Sequence, residues 1–186
     1  MANGFNHHVS LIWSNTINTG MNMKQVVGLA ESVRLRGRLP PSEENVQAAK
    51  IFVLRKWQER AQEIGREIPS DLSRACKFTS LFSTIVFGGQ IRGNFFHQWA
   101  EPPNGKVLDL SDQSSDVAAL KAGKIPEYAR SHAEAMRQTP PSDLYAHNPR
   151  HIGRKEHRDS MASVRARVEG WTQEFLANRS LGNSTL

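Results

Sequence analysis

The chain has a single cysteine, Cys76, among 186 residues, which excludes an internal disulfide. It has no apolar run approaching the roughly 18 residues that a membrane-spanning helix needs. Its first residues lack the charged and then apolar pattern of a secretory signal. A cytoplasmic protein with no membrane partner is therefore expected; delivery as a bacterial effector by a dedicated machine is equally compatible with these residues. Glycine and proline stand at ordinary levels, 13 and 9, and neither a repeat nor a low-complexity tract interrupts the chain. A glycine-rich phosphate loop is also missing, because Gly88-Gly89-x-x-x-Gly93 follows a helical segment instead of joining a strand to a helix. Chemistry without a cofactor is the simpler expectation.

What is present is a modest apolar content, 38%, which is enough for the core of one domain, and a net charge of +6. Much of the positive excess falls late in the chain. There Arg150, Arg154, Lys155 and Arg158, followed by Arg165 and Arg167, meet only Glu156 and Asp159. Arg150, Arg154, Lys155 and Arg158 form a candidate anion-binding patch. Nucleic acid is a weaker partner for it, since no recognised module accompanies the patch and no aromatics are interleaved for base stacking. A solvated basic surface ranks ahead of it. His147, His151 and His157 invite a metal, but structural zinc favours cysteine ligands that this segment lacks, so surface or loop histidines are expected and no metal.

Periodicity and punctuation give the organisation. Residues 1–20 read as a loosely ordered segment, 21–177 as one α+β domain and 178–186 as a flexible tail. A first helix is expected from Met23 to Arg36, ended by Gly37 and Leu39-Pro40-Pro41. Ser42 then caps a long helix from Glu43 to about Arg66, with Val46, Ala49, Val53, Trp57 and Ile64 along one side. Its charges, Lys50, Arg55, Lys56, Glu59, Arg60 and Glu63, read as a solvated face with opposite-sign neighbours. Asp112 to Lys121 and Pro126 to Gln138 suggest two further helices. A last helix from about Asp159 to Ala177 carries Met161, Val164, Val168, Trp171 and Phe175 at helical spacing.

The chemistry-bearing residues lie in the middle. Cys76 opens an apolar run that Gly88-Gly89 stops, so a helix capped by Ser73 is predicted with Cys76 in its first turn, where free N–H groups favour an anion. Gln90 to Ala100 alternates, placing Ile91, Gly93, Phe95, His97 and Trp99 on one strand face; a partly exposed imidazole is expected there. Pro102-Pro103-Asn104-Gly105 makes a turn, and Lys106 to Leu110 a short return strand bearing Asp109. Two strand faces meet only in one parity. A four-residue loop limited to 102–105 separates His97 from Asp109, whereas a five-residue loop beginning at Glu101 sets them opposite one another. Cysteine, histidine and aspartate in this order fit a nucleophile, its base and the group that orients the base.

The residues Ser73-x-x-Cys76, Phe87-Gly88-Gly89-x-Ile91, His97-x-Trp99 and Gly105-Lys-Val-Leu-Asp109-Leu-Ser-x-Gln113 resemble the YunG-like family of small bacterial proteins. More distantly they resemble the transglutaminase-like and papain-like cysteine superfamily. The likeness covers about forty central residues, with Tyr145-x-His147 through Arg167-Val168-x-x-Trp171 as a fainter continuation. Cys76-Lys77 departs from the family's frequent Cys-Gly or Cys-Ala. The resemblance implies a nucleophile helix packed on a small antiparallel sheet, with additional N- and C-terminal helices around that papain-like core. It assigns the nucleophile to Cys76, the base to His97 and the orienter to Asp109. The activity implied is that of a cysteine hydrolase or acyltransferase acting on an unknown protein or peptide: a protease, deamidase or transglutaminase-like enzyme. The competing reading is a non-catalytic binding protein, from a mobile element or a host-interacting bacterium, that engages a nucleoprotein or acidic partner through its basic C-terminal half.

Overall fold

The structure is a computed structural model and describes residues 34–182 apart from 131–133, 135, 136 and 138. The expectations for residues 1–20 and 183–186, and most of the predicted helix from Met23, lie outside the described residues. At its described end that helix is corrected: Leu35–Arg36 form a strand, β1. Gly37 follows, and Arg38 and Leu39 donate their N–H groups to the Val86 carbonyl at 2.8 and 3.0 Å, tying this segment to the end of the helix that contains Val86.

Ser42 caps α1, Glu43–Glu63, by accepting from the Asn45 N–H at 3.3 Å, with Glu43 and Glu44 in the first turn complementing the dipole. Ala49, Phe52 and Val53 turn into the core while Ile64, expected on that side, is exposed just past the helix end. The charged residues of α1 find partners on other elements, Lys50 on Asp112 at 2.7 Å and Lys56 on Glu174 at 2.6 Å.

The central element is α2, Cys76–Phe87, and every residue from Phe78 to Phe87 is buried. Such a helix needs apolar partners all round and somewhere to hide its hydroxyls. Phe82 meets Phe52 and Phe175, and Phe78 meets Trp57 and Trp171, with ring centroids 5.1 to 5.8 Å apart. Thr79 and Thr84 donate back to the carbonyls of Cys76 and Ser80. Gly88 ends the helix with φ +81 and opens β2, Gly88–Gly93, which pairs antiparallel with β1 on one side and with β3, Gln98–Glu101, on the other.

The uninterrupted strand expected over Gln90 to Ala100 is thus a hairpin. Gly93-Asn94 breaks the alternation: the Asn94 Oδ1 accepts from the N–H groups of Phe96 and His97 at 2.9 and 3.1 Å, and the Asn94 N–H donates to the His97 carbonyl at 2.9 Å. The expected return strand over Lys106 to Leu110 shrinks to one bridge, Ala100 with Leu108, although the turn at Pro102 to Gly105 forms as expected.

Three more helices complete the α+β fold among the described residues. They are α3, Ser115–Lys121; the short α4, Pro149–Ile152; and α5, Lys155–Gly182. The helix expected from Pro126 to Gln138 opens as a 3₁₀ turn, Glu127–Ala129, and is helical at Arg130 and Glu134, while residues 131–133, 135, 136 and 138 lie outside the described residues. The periodic residues Met161, Val164, Val168, Trp171 and Phe175 of α5 are all buried. The helix starts at Lys155, before the expected Asp159, and runs on to Gly182, past the expected end at Ala177.

Gly89 is where the sheet is most easily broken. Its φ is +95, and an added Cβ would lie 2.0 Å from the Glu101 carbonyl oxygen. Gly89→Ala is expected to destabilise the fold by about 2–3 kcal/mol, from left-handed strain plus backbone overlap. A urea midpoint unchanged from the parent protein would contradict this.

Candidate active site

Cys76 is the first residue of α2, preceded by Ala75, which offers no side-chain hydrogen bond to the helix start. Ser73 does not cap this helix as expected. A turn closed by the Ala75 N–H on the Leu72 carbonyl, with Arg74 at φ +65, delays the helix start past it. Ser73 instead serves α3, its Oγ accepting from the Asp116 N–H at 3.2 Å and standing 2.8 Å from the Ser115 Oγ. The front of α2 therefore presents uncapped backbone N–H groups beside the half-buried Cys76 thiol.

Direction brings the histidine to this end. The helix carries the chain away from Cys76, β2 returns antiparallel, and the Asn94 turn lands His97 at the level of the thiol. Gln90 to Arg92, expected to make the turn, lie inside β2; the reach from helix to histidine is met by a different route. The Asn94 side chain is itself anchored, its Nδ2 donating to the carbonyls of Leu144 and Ala146 at 2.9 and 3.1 Å. β3 then leaves and the segment after Gly105 comes back, carrying Asp109 to the same place.

The bridge of Ala100 with Leu108 sets the register two residues away from a direct His97–Asp109 pairing but preserves its parity. Asp109 is diagonal to His97 and on the same face. The His97 Nε2 lies 2.7 Å from the Asp109 Oδ2. The imidazole is 2% exposed, which corrects the expectation of a partly exposed ring. Burial alone would lower the His97 pKa, but the hydrogen bonds with Asp109 and with Cys76, and their negative charge, raise it from 6.5 to about 10. With Nε2 on the carboxylate, Nδ1 is the nitrogen left for the thiol. Burial pushes the Asp109 carboxyl up, and the bonds from His97 and Ser111 overcome that to hold it below the ordinary range.

Two supports of this arrangement are missed by reading the sequence. Ser111 gives its N–H and Oγ–H to the Asp109 Oδ1 at 2.9 and 2.7 Å. The Tyr145 hydroxyl donates to the Oδ2 at 3.0 Å, and its ring stands edge-on to Trp99. Asp-x-Ser is a local turn pattern that sequence can offer; Tyr145, 36 residues downstream, has no such signal.

Of the other sequence candidates, His151 and His157 meet with ring centroids 5.1 Å apart. His147 meets the Gly93 backbone, its Nδ1 3.1 Å from the Gly93 N. His157, expected at the surface, is buried beside Gln98, and burial with the nearby charges of Lys77 and Arg158 lowers its pKa to about 4. Among the described residues no group of three His, Cys, Asp or Glu stands close enough to hold a metal ion. In the basic patch Arg154 contacts Glu156 at 3.4 Å and Lys155 contacts Asp159 at 2.6 Å, while Arg158 bonds the Gly153 carbonyl and Arg150 is exposed. Part of the patch's charge is thus answered locally. No described helix is long and apolar enough to cross a membrane.

No family model matches the chain, and neither a curated protein nor a solved structure is significantly similar to it. The residues and their geometry alone carry the functional argument.

Proposed function

We propose that the protein is a cysteine hydrolase or acyltransferase that acts on an amide, ester or thioester carbonyl of a protein or peptide. The carrying observation is a buried imidazole whose Nε2 is 2.7 Å from a buried carboxylate and whose protonation is raised by that carboxylate and by the half-buried Cys76 thiol beside it. Cys76 attacks the carbonyl carbon with its thiol proton held on His97. Collapse of the tetrahedral intermediate breaks the bond to the leaving group, which takes that proton, and leaves an acyl thioester on Cys76. Water or an amine then attacks the thioester, His97 accepts the attacking group's proton, and the thiolate departs. Asp109 fixes the ring and answers its charge, and Ser111 and Tyr145 fix Asp109. The uncapped N–H groups at the start of α2 supply an oxyanion site. A helix opened by the nucleophile, packed on a small antiparallel sheet with the base at the turn just before β3, supports the resemblance to the YunG-like family and to the papain-like and transglutaminase-like superfamily.

p-Nitrophenyl acetate provides the test. The native protein is expected to release one equivalent of nitrophenolate rapidly near neutral pH and to carry a hydroxylamine-labile acetyl group on Cys76, read by mass spectrometry. The urea-unfolded chain should acylate at the slower rate of an ordinary thiol. Equal rates for native and unfolded chains would overturn the proposal.

A further inference from the structure

A cleft of about 570 Å³ lies between the C-terminal end of α1 and the loop that leads into Cys76. Three guanidinium groups line it: Arg60 from α1, Arg66 just beyond it, and Arg74 two residues before the cysteine. Among the described residues none of the three forms an ion pair with a carboxylate. Arg60 lies over the rings of Trp57 and Phe78, and Arg74 over Tyr128 at 4.4 Å, so two of them are held by aromatic faces. The acids nearby are already engaged or turned outward. Asp71 accepts from the N–H groups of Ser73 and Ser115, both at 2.8 Å; Glu63 pairs with Arg167 at 2.7 Å; and Glu67 is exposed. Burial and the like charges of Arg167 and Arg66 hold the Arg60 pKa below its ordinary value, against the opposing pull of Glu63. Trp57 and the exposed Ile64 and Ile68 add an apolar wall.

We propose that this cleft is a substrate subsite that takes the Asp or Glu side chain of an acidic peptide, set beside the reacting carbonyl by Arg60, Arg66 and Arg74. Its role in a reaction rests on the thiol chemistry of Cys76; its binding preference does not. Arg74 is at most about 7.6 Å along the chain from Cys76, counted Cα to Cα. An extended peptide advances about 3.3 Å per residue, so the side chain received belongs to a residue roughly two positions from the reacting carbonyl. Guanidinium groups suit a carboxylate because they bind it in a bidentate fork. The apolar wall favours a hydrophobic neighbour to the acid.

The test is binding, measured with the full chain carrying Cys76→Ala so that no covalent step intervenes. Two fluorescein-labelled peptides, Gly-Ala-Glu-Glu-Leu-Gly and Gly-Ala-Gln-Gln-Leu-Gly, are compared by anisotropy. The glutamate peptide is expected to bind about tenfold more tightly, and Arg66→Gln with Arg74→Gln to abolish the difference. Arg66→Glu, at an exposed position, should reverse the preference without a folding defect and serves as the second variant. Equal binding of the two peptides overturns the proposal, as does a preference that survives in these variants. Tighter, Arg66-dependent binding of a single-stranded oligonucleotide also overturns it, by making the cleft a nucleic-acid site. Acylation of Cys76 is read separately, so a failure of the thiol chemistry and a failure of this cleft are distinguishable.

Discussion

Replacing His97 by glutamine is expected to slow iodoacetamide alkylation of Cys76 near pH 6.5 by about 100-fold, the lower end of what a positioned acid–base group contributes. The imidazole is the base beside the thiol, and Asp109 keeps it charged, so its loss removes both the proton acceptor and the positive charge facing sulfur. Glutamine is preferred to alanine for a structural reason. At 2% exposure the ring fills space beside Trp99 and Tyr145 and gives Asp109 an N–H donor; glutamine keeps much of the volume and a donor, whereas alanine leaves a void and a buried carboxylate short of a partner. His97→Ala therefore carries a folding penalty of about 3–5 kcal/mol, which would confuse loss of reactivity with loss of structure. Timed alkylation with near-ultraviolet circular dichroism separates the two. A glutamine variant that stays folded and alkylates within a factor of about two of the parent would remove the Cys76–His97 pair from the mechanism.

Asp109 carries the second large effect. Its carboxylate accepts from His97, Ser111 and Tyr145, so Asp109→Ala strands donors from three residues in a dry site, and a loss of about 3–5 kcal/mol is expected. Asp109→Asn keeps the shape and removes the charge, and its signature is a changed pH profile. The His97 pKa is higher in the folded protein, about 10, than its ordinary 6.5. The folded state thus holds the proton more tightly than the unfolded chain. The stabilisation from this group is complete below about 6.5 and is lost as pH rises towards about 10. For Asp109 the sign is opposite: its pKa is depressed in the folded state, so its contribution is present above the ordinary carboxylate value of about 3.8 and is lost as pH falls through the depressed one. Urea midpoints across the alkaline window should fall for the parent protein and fall less for Asp109→Asn. Identical alkaline slopes would show that the charge of Asp109 does not hold the proton on His97.

The contrast between His97 and Tyr145 shows how much of the site is legible from the chain. Cys76 at a helix start and a turn at Pro102 to Gly105 follow from local rules, a glycine stop and turn chemistry, whereas the parity of His97 and Asp109 hangs on the loop length and is decided by the bridge of Ala100 with Leu108. The hairpin is misread because the alternation from Ile91 to Trp99 is real and outweighs a single Gly93-Asn94, although that dipeptide is a turn signal. Asn94 acts as a turn because its Nδ2 finds the carbonyls of Leu144 and Ala146, some fifty residues away, and no local pattern announces that bond. Ser73 fails as a cap for an equally non-local reason, since its hydroxyl is drawn to α3.

By itself the sequence determined the long capped helix α1, the buried stripe of α5, the glycine-ended helix that Cys76 opens, and the three residue types of the site in their order. These depend on spacing within a turn or a strand, over which the chain has few conformations to choose from. Tertiary structure decided that the strand after Gly93 folds back, that Ala100 pairs with Leu108, that the His97 ring is buried, and that Tyr145 and Ser111 close the shell around Asp109. It also decided that Arg60, Arg66 and Arg74 share one cleft. Such contacts form when separate elements pack on α2 and their polar groups, removed from water, must find partners within about 3 Å, a condition that only the assembled chain can satisfy.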